Sequence, residues 1–156
     1  MNREGRIIIV DADACPVKSE IARTARKFDV PVWMVASFDH RLVPEDGVTV
    51  FQVDRSDQSV DLYIANRIQA DDVLVTQDFG LAAIGIGKRA IALSNRGQIY
   101  SNRTIDFLLE RRNEQMRKRR GGGRSKGPKA FTEEDRLTFL QTLTKVLSDK
   151  QEIFIT

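Results

Sequence analysis

Asp11 and Asp13 stand two residues apart, directly after the apolar run Ile7-Ile8-Ile9-Val10. Asp78 follows a second apolar run, Val73-Leu74-Val75, with Thr76 two places before it. Asp57 and Asp61 are spaced i, i+4, which puts both carboxylates on one helix face. Carboxylates held a few ångströms apart repel, and each rises in pKa unless a cation intervenes. Oxygen ligands without His or Cys select a hard divalent ion, Mg2+ or Mn2+. Such an ion activates water and neutralises a phosphate in phosphodiester cleavage. The Thr76 hydroxyl suits holding a carboxylate or a water beside them. Each residue also has a plainer role: Asp11 or Asp13 as a cap for the helix at Pro16, Asp57 as an N-terminal cap, Asp61 as a first-turn partner of the helix dipole, Asp78 as the cap of the helix carrying Leu81.

The other reactive side chains narrow the choices. Cys15 is the only cysteine and His40 the only histidine, which excludes an internal disulfide, a cysteine zinc cluster and a multi-histidine metal site, and argues against a Ser-His-Asp triad. A cysteine-phosphatase loop needs an arginine six residues after its thiol, where this chain has Ile21; Cys15 reads as a packed small thiol. Lys18, early in the first helix, is near enough to meet a phosphate, and Arg96 is a second candidate for the nucleic-acid backbone. His40 has no assigned role, and Trp33 reads as core.

The elements that must position these residues alternate. A β-branched strand over residues 6–10 precedes a helix with Pro16 at its first position and apolar Ile21, Ala22, Ala25 and Phe28. Strands follow over 31–36 and 48–53. Next comes a helix capped by Ser56 or Asp57, with the stripe Val60, Ile64, Ile68. A strand over 72–76, a short helix over 81–86, a strand over 90–93 and a turn at Asn95-Arg96-Gly97 complete the unit. The alternation predicts an α/β fold with a mostly parallel sheet of about five strands. In such a sheet, ligands bind beyond the carboxyl ends of the strands, where Asp11, Asp13, Asp54 and Asp78 fall. A helix over 104–119 follows, then a Gly-rich break at 121–128, then a last helix with Thr132 as N-cap, Asp135 in the capping-box place and the stripe Phe139, Leu140, Leu143, Leu147.

Length and charge bound the rest. The 156 residues, 41% hydrophobic and 30% charged, suit one domain with a real core. No apolar run reaches the ~18 residues of a membrane span or the ~7 of a signal peptide, so a cytoplasmic protein without a membrane partner is expected. The net charge of +3 is uneven: residues 1–110 carry 13 basic and 16 acidic side chains, residues 111–129 nine basic and one acidic, and residues 130–156 three and five. The organisation expected is a core over 1–110, a basic flexible arm over 111–130 and a C-terminal helix over 131–156 packed on the core. The arm, with Arg117, Lys118, Arg119, Arg120, Arg124 and Lys126, is expected either to contact phosphates or to serve as a solvated linker.

Several motifs carry a resemblance. Val10-Asp11-Ala12-Asp13-Ala14-Cys15-Pro16-Val17-Lys18 resembles the opening motif of the YaiI/YqxD family of uncharacterised bacterial proteins. Val60-Asp61-Leu62-Tyr63-Ile64, the segment from Val75-Thr76-Gln77-Asp78 through Ala82, and Asn95-Arg96-Gly97 resemble its later motifs. Gly127-Pro128 to Phe131, with Asp135-Arg136 and Phe139, resembles its C-terminal signature. That family is regarded as a branch of the PIN-like nucleases. The resemblance implies a three-layer α/β sandwich, metal ligation by Asp11, Asp61 and Asp78, and Asp13 and Thr76 beside them. Two positions depart from the pattern: Gln58 stands where many members have an aspartate, and Gly80 where PIN domains often have a fourth acid. The implied activity is Mg2+- or Mn2+-dependent nucleolysis, first of all of RNA. Two other readings compete. One is an aspartyl-phosphate hydrolase with Asp11 as nucleophile and Asp13 as general acid. The other is a non-catalytic RNA-binding module resting on the basic arm.

Overall fold

The computed structural model describes residues 5–38, 42–54, 59–122 and 129–155; the expectations on Asp57, Ser56, Gln58, His40, Arg124 and Lys126 lie outside them. Five strands form the frame: β1 (Ile8–Asp11), β2 (Val32–Ser37), β3 (Val48–Val53), β4 (Val73–Val75) and β5 (Ile91–Leu93). The helices are α1 (Lys18–Phe28), α2 (Val60–Ala65), α3 (Phe79–Gly87), α4 (Asn102–Arg120) and α5 (Glu133–Ile155). All strand pairs are parallel, in the order β3-β2-β1-β4-β5. The β-branched runs explain the strands: β1 is central, Ile8, Ile9 and Val10 are fully buried, and their alternation feeds both faces of the sheet. Ile8 and Val10 join Ile21, Ala25, Phe139, Leu143 and Leu147 under α1 and α5. Ile7 and Ile9 join Ile64, Leu81, Ala82 and Ile105 under α2, α3 and α4. The result is the helix–sheet–helix sandwich expected.

Local chemistry moved some boundaries. Pro16 does not open α1; it lies in a turn, and α1 begins at Lys18 with Val17 at its N-cap and no side-chain cap. Neither Asp11 nor Asp13 therefore caps that helix. Ser59 caps α2 through its hydroxyl, and α2 ends at Ala65, so buried Ile68 packs from beyond the helix. The basic segment is no flexible arm up to Arg120: α4, capped by Ser101, carries helix through residues 111–120. Trp33 is half-buried, its ring 5.0 Å from that of Phe51.

The start of α5 is tied to the carboxyl edge of the sheet by charge. Thr132 and Asp135 form a reciprocal capping box, with Thr132 N donating to Asp135 Oδ2 (3.0 Å) and Asp135 N to Thr132 Oγ1 (3.1 Å). Asp135 also pairs with Arg96 at 2.6 Å, and the same guanidinium donates to the carbonyls of Ala130 and Lys129. Arg96, a candidate for the nucleic-acid backbone, thus fastens the turn after β5 to α5. Arg136 reaches the other way, to buried Glu20 of α1 at 2.9 Å and to the Pro16 carbonyl at 2.9 Å. Gly97 has φ +86°, and a Cβ there would come within 2.8 Å of the Thr138 backbone, so α5 lies directly on this turn.

Fully buried Phe139 anchors α5, so Phe139→Ala is expected to lower stability by about 3–5 kcal/mol in urea denaturation, transfer and cavity terms together. The Thr132 N–H, its hydroxyl and Arg96 hold the Asp135 carboxyl below its ordinary value. An acid with a depressed folded pKa stabilises above its unfolded pKa, about 3.9, and loses that contribution as pH falls through the folded value. Melting curves of wild type and Asp135→Asn should therefore differ at pH 6 and converge below about pH 4.

Candidate functional site

The strand order reverses at β1: the chain moves from β1 to β2 and β3 on one side, then crosses to β4 and β5 on the other. The crevice beyond the carboxyl ends of β1 and β4 is therefore the switch point where open parallel sheets bind ligands. Asp11, the last residue of β1, enters it from one side, and Thr76 and Asp78 follow β4 on the other.

Fully buried Thr76 joins them. Its hydroxyl donates to Asp11 Oδ2 (2.9 Å) and accepts from the Asp78 backbone N–H (3.0 Å). The Thr76 carbonyl in turn accepts from the Tyr100 hydroxyl at 3.1 Å. Asp78 then caps α3, its Oδ1 accepting from Gly80 N (2.9 Å) and Leu81 N (3.2 Å). Its plainer role is thus real, and it places the carboxylate at the crevice. Asp13, just past β1, accepts from Ser37 N (2.8 Å) and Ser37 Oγ (3.3 Å), which ties the loop after β1 to the end of β2. Asp61 is exposed in the first turn of α2. Lys18 Nζ donates to the Ala12 carbonyl at 3.4 Å, which holds the ammonium beside the same loop.

Electrostatics register the gathering. Burial pushes the Asp11 carboxyl above the ordinary aspartate value; the Thr76 hydrogen bond opposes this, and the charges of Asp13, Asp78 and Asp61 raise it further. Asp13, Asp61 and Asp78 thus each act on Asp11 from a different part of the chain. Burial pushes Tyr100 up to about 12, with Asp78 adding to it. Burial also lifts the Cys15 thiol to about 11, which makes it a packed, protonated side chain.

Among the described residues, no three His, Cys, Asp or Glu side chains stand together closely enough to hold a metal ion between them. The acids that act on one point offer oxygens only: Asp11 itself, with Asp78, Asp13 and Asp61. Magnesium commonly takes one or two carboxylates and fills its remaining positions with water and phosphate. This donor set fits an ion held in that way.

The sequence did not single out Ser37, Tyr100 or Glu20. Tyr100 left a signal, since a buried tyrosine hydroxyl usually finds a partner. Glu20 and Ser37 left none, because their partners are set by packing across the chain.

Residues 9–149 match the family described as Uncharacterized BCR, YaiI/YqxD. A UPF0178 protein of Bacillus pumilus is 44% identical over 151 residues, 96% of this chain and 91% of the relative. UPF0178 protein BH1374 of Halalkalibacterium halodurans is 42% identical, covering 94% of this chain and 93% of its own length. UPF0178 protein Lmo1456 of Listeria monocytogenes is 41% identical, covering 92% and 96%. No solved structure matches.

An acid with a raised folded pKa destabilises once it ionises: stability falls as pH rises from the unfolded pKa, about 3.9, through the folded value. Asp11→Asn is accordingly expected to melt higher than wild type at pH 7 and to lose that advantage near pH 3. Thr76→Val removes the hydroxyl that serves both Asp11 and the Asp78 N–H. It should cost about 1–3 kcal/mol in denaturant unfolding and push the Asp11 titration, followed by carboxyl NMR, still higher.

Proposed function

The chain belongs to the YaiI/YqxD family, and from that membership and the carboxylates around Asp11 we propose that it is a divalent-cation-dependent phosphodiester hydrolase of nucleic acids, a nuclease of PIN-like type. The observation that carries this reading is the Asp11–Thr76–Asp78 chain at the β1–β4 switch point, with the Asp13 and Asp61 charges acting on Asp11. Clustered negative charge opposes folding at this edge, and a bound cation relieves it.

Of Asp11, Asp78 and Asp61, one or two would hold Mg2+ or Mn2+ directly, with water and phosphate at its other positions. The ion, when bound, supplies an activated water and neutralises the phosphate under attack. The chain's own groups prepare that event. Thr76 fixes the Asp11 carboxylate in one orientation through its hydrogen bond. Asp13, braced by Ser37, adds negative charge beside the crevice. Lys18, held against the loop after β1, offers a cation to an incoming phosphate. Arg96 has no part in this reading, since Asp135 and two carbonyls engage it.

Purified protein incubated with end-labelled RNA and DNA, single- and double-stranded, in Mn2+ or Mg2+ tests the proposal. Cleavage should appear with either ion and vanish in EDTA. Asp11→Asn and Asp78→Asn should each lower the rate by at least about a hundredfold, the loss of several kcal/mol of transition-state stabilisation. Cleavage that survives EDTA, or both substitutions, overturns it.

A further inference from the structure

Helix α4 packs on the body only through its first half. Ile105 is buried and Thr104, Leu108 and Leu109 partly so, whereas residues 110–122 are exposed apart from half-buried Gln115. This free end carries Arg111, Arg112, Arg117, Lys118, Arg119 and Arg120 against a single acid after residue 110, Glu114. Successive helical residues are turned by about 100°. Arg111 and Lys118, seven apart, therefore share one side. Arg112 lies about a quarter turn on, Arg120 about half a turn away, and Arg117 about a third of a turn away on the other flank. Positive charge surrounds this part of the helix instead of forming one stripe.

That distribution selects among polyanions. A membrane surface engages one side of a helix and needs an apolar face. Here the exposed apolar residues are few, and the ring of one of them, Phe107, lies under the Arg111 guanidinium at 5.9 Å. A flat acidic protein surface would likewise leave half of the cations unused. A helix charged all round matches a channel with anions on both walls, and the groove of a nucleic-acid duplex is such a channel. An α-helix of about 10–12 Å fits the major groove of B-form DNA, about 12 Å wide. The major groove of A-form RNA is too deep and narrow for side chains to read.

We propose that the free end of α4 lies in the major groove of B-form duplex DNA, with Arg111 and Lys118 on one row of phosphates and Arg117 and Arg120 on the other. The proposal rests on the nucleic-acid part of the reading above and not on its hydrolytic part. It names the substrate class as duplex DNA in place of the RNA that the sequence resemblance implied.

The test is fluorescence anisotropy of the full chain in EDTA, where no cation-dependent cutting occurs. The probes are a labelled 20-base-pair DNA duplex, its single strand and the matching RNA duplex. The DNA duplex should bind at least about tenfold more tightly than either of the others. Four phosphate contacts predict a slope of log K against log salt of about −3.6. Arg111→Gln/Lys118→Gln and Arg117→Gln/Arg120→Gln should each weaken duplex binding at least tenfold at 0.1 M salt and reduce the slope by about 2. The proposal is overturned if one of the two pairs leaves affinity and slope unchanged, which would mean contact along one side only. It is also overturned if the single strand or the RNA duplex binds wild type as tightly as the DNA duplex. Because binding is read without a divalent ion, a protein that prefers duplex DNA here yet cuts nothing when Mn2+ or Mg2+ is added supports this inference and overturns the hydrolase reading alone.

Discussion

The Asp11 carboxylate is the constraint around which the rest is arranged. It ends a central buried strand, it is partly desolvated, and three other carboxylates act on it. Left to itself this position would be a liability, since a buried charge among like charges opposes folding. One neutral hydroxyl moderates it. Thr76 donates to Asp11 and accepts from the Asp78 N–H, so a single buried side chain orients one carboxylate and the backbone that launches the other. Tyr100 then holds the Thr76 carbonyl from the far side. Natural proteins tolerate such local cost mainly where they act on a ligand.

The opposite face supplies rigidity. The apolar stripe of α5 fills the space over β1, β4 and β5, but hydrophobic contact alone would leave its rotation loosely fixed. Two arginines set it. Arg96 joins Asp135 to the turn after β5, and Arg136 joins buried Glu20 and the Pro16 carbonyl to α5. The Phe131 ring lies between them, 5.8 Å from one guanidinium and 5.2 Å from the other. The loops after β1 and after β5, which flank the crevice, are thereby fastened to one helix terminus. Such a mounting keeps acidic loops from splaying apart under their own repulsion.

Charge is thus sorted by place. Acid collects at the carboxyl edge, base collects on the free end of α4, and Arg96 and Arg136 are engaged in internal pairs. The basic stretch of α4 is thereby kept apart from the carboxylates in sequence and in element.

Elements with strong local patterning were legible in the sequence. Short apolar runs marked all five strands, and the β-branched run of β1 marked the central one, which a parallel sheet covered on both sides buries on both faces. Thr132 with Asp135 marked the start of α5, because a capping box closes within four residues. The acidic edge was legible as well, since residues directly after parallel strands share one end of the sheet whatever the helices do. Partnerships across the chain were decided by tertiary structure. Glu20 and Arg136 are 116 residues apart, Arg96 and Asp135 39, and neither pairing leaves a trace in spacing. Packing alone distinguished Arg96, drawn into an internal pair, from Arg117 and Lys118, left in solvent. Sequence fixes which charges exist and which local caps they can make; only the folded chain, by choosing which charges lose water and which keep it, decides what each one does.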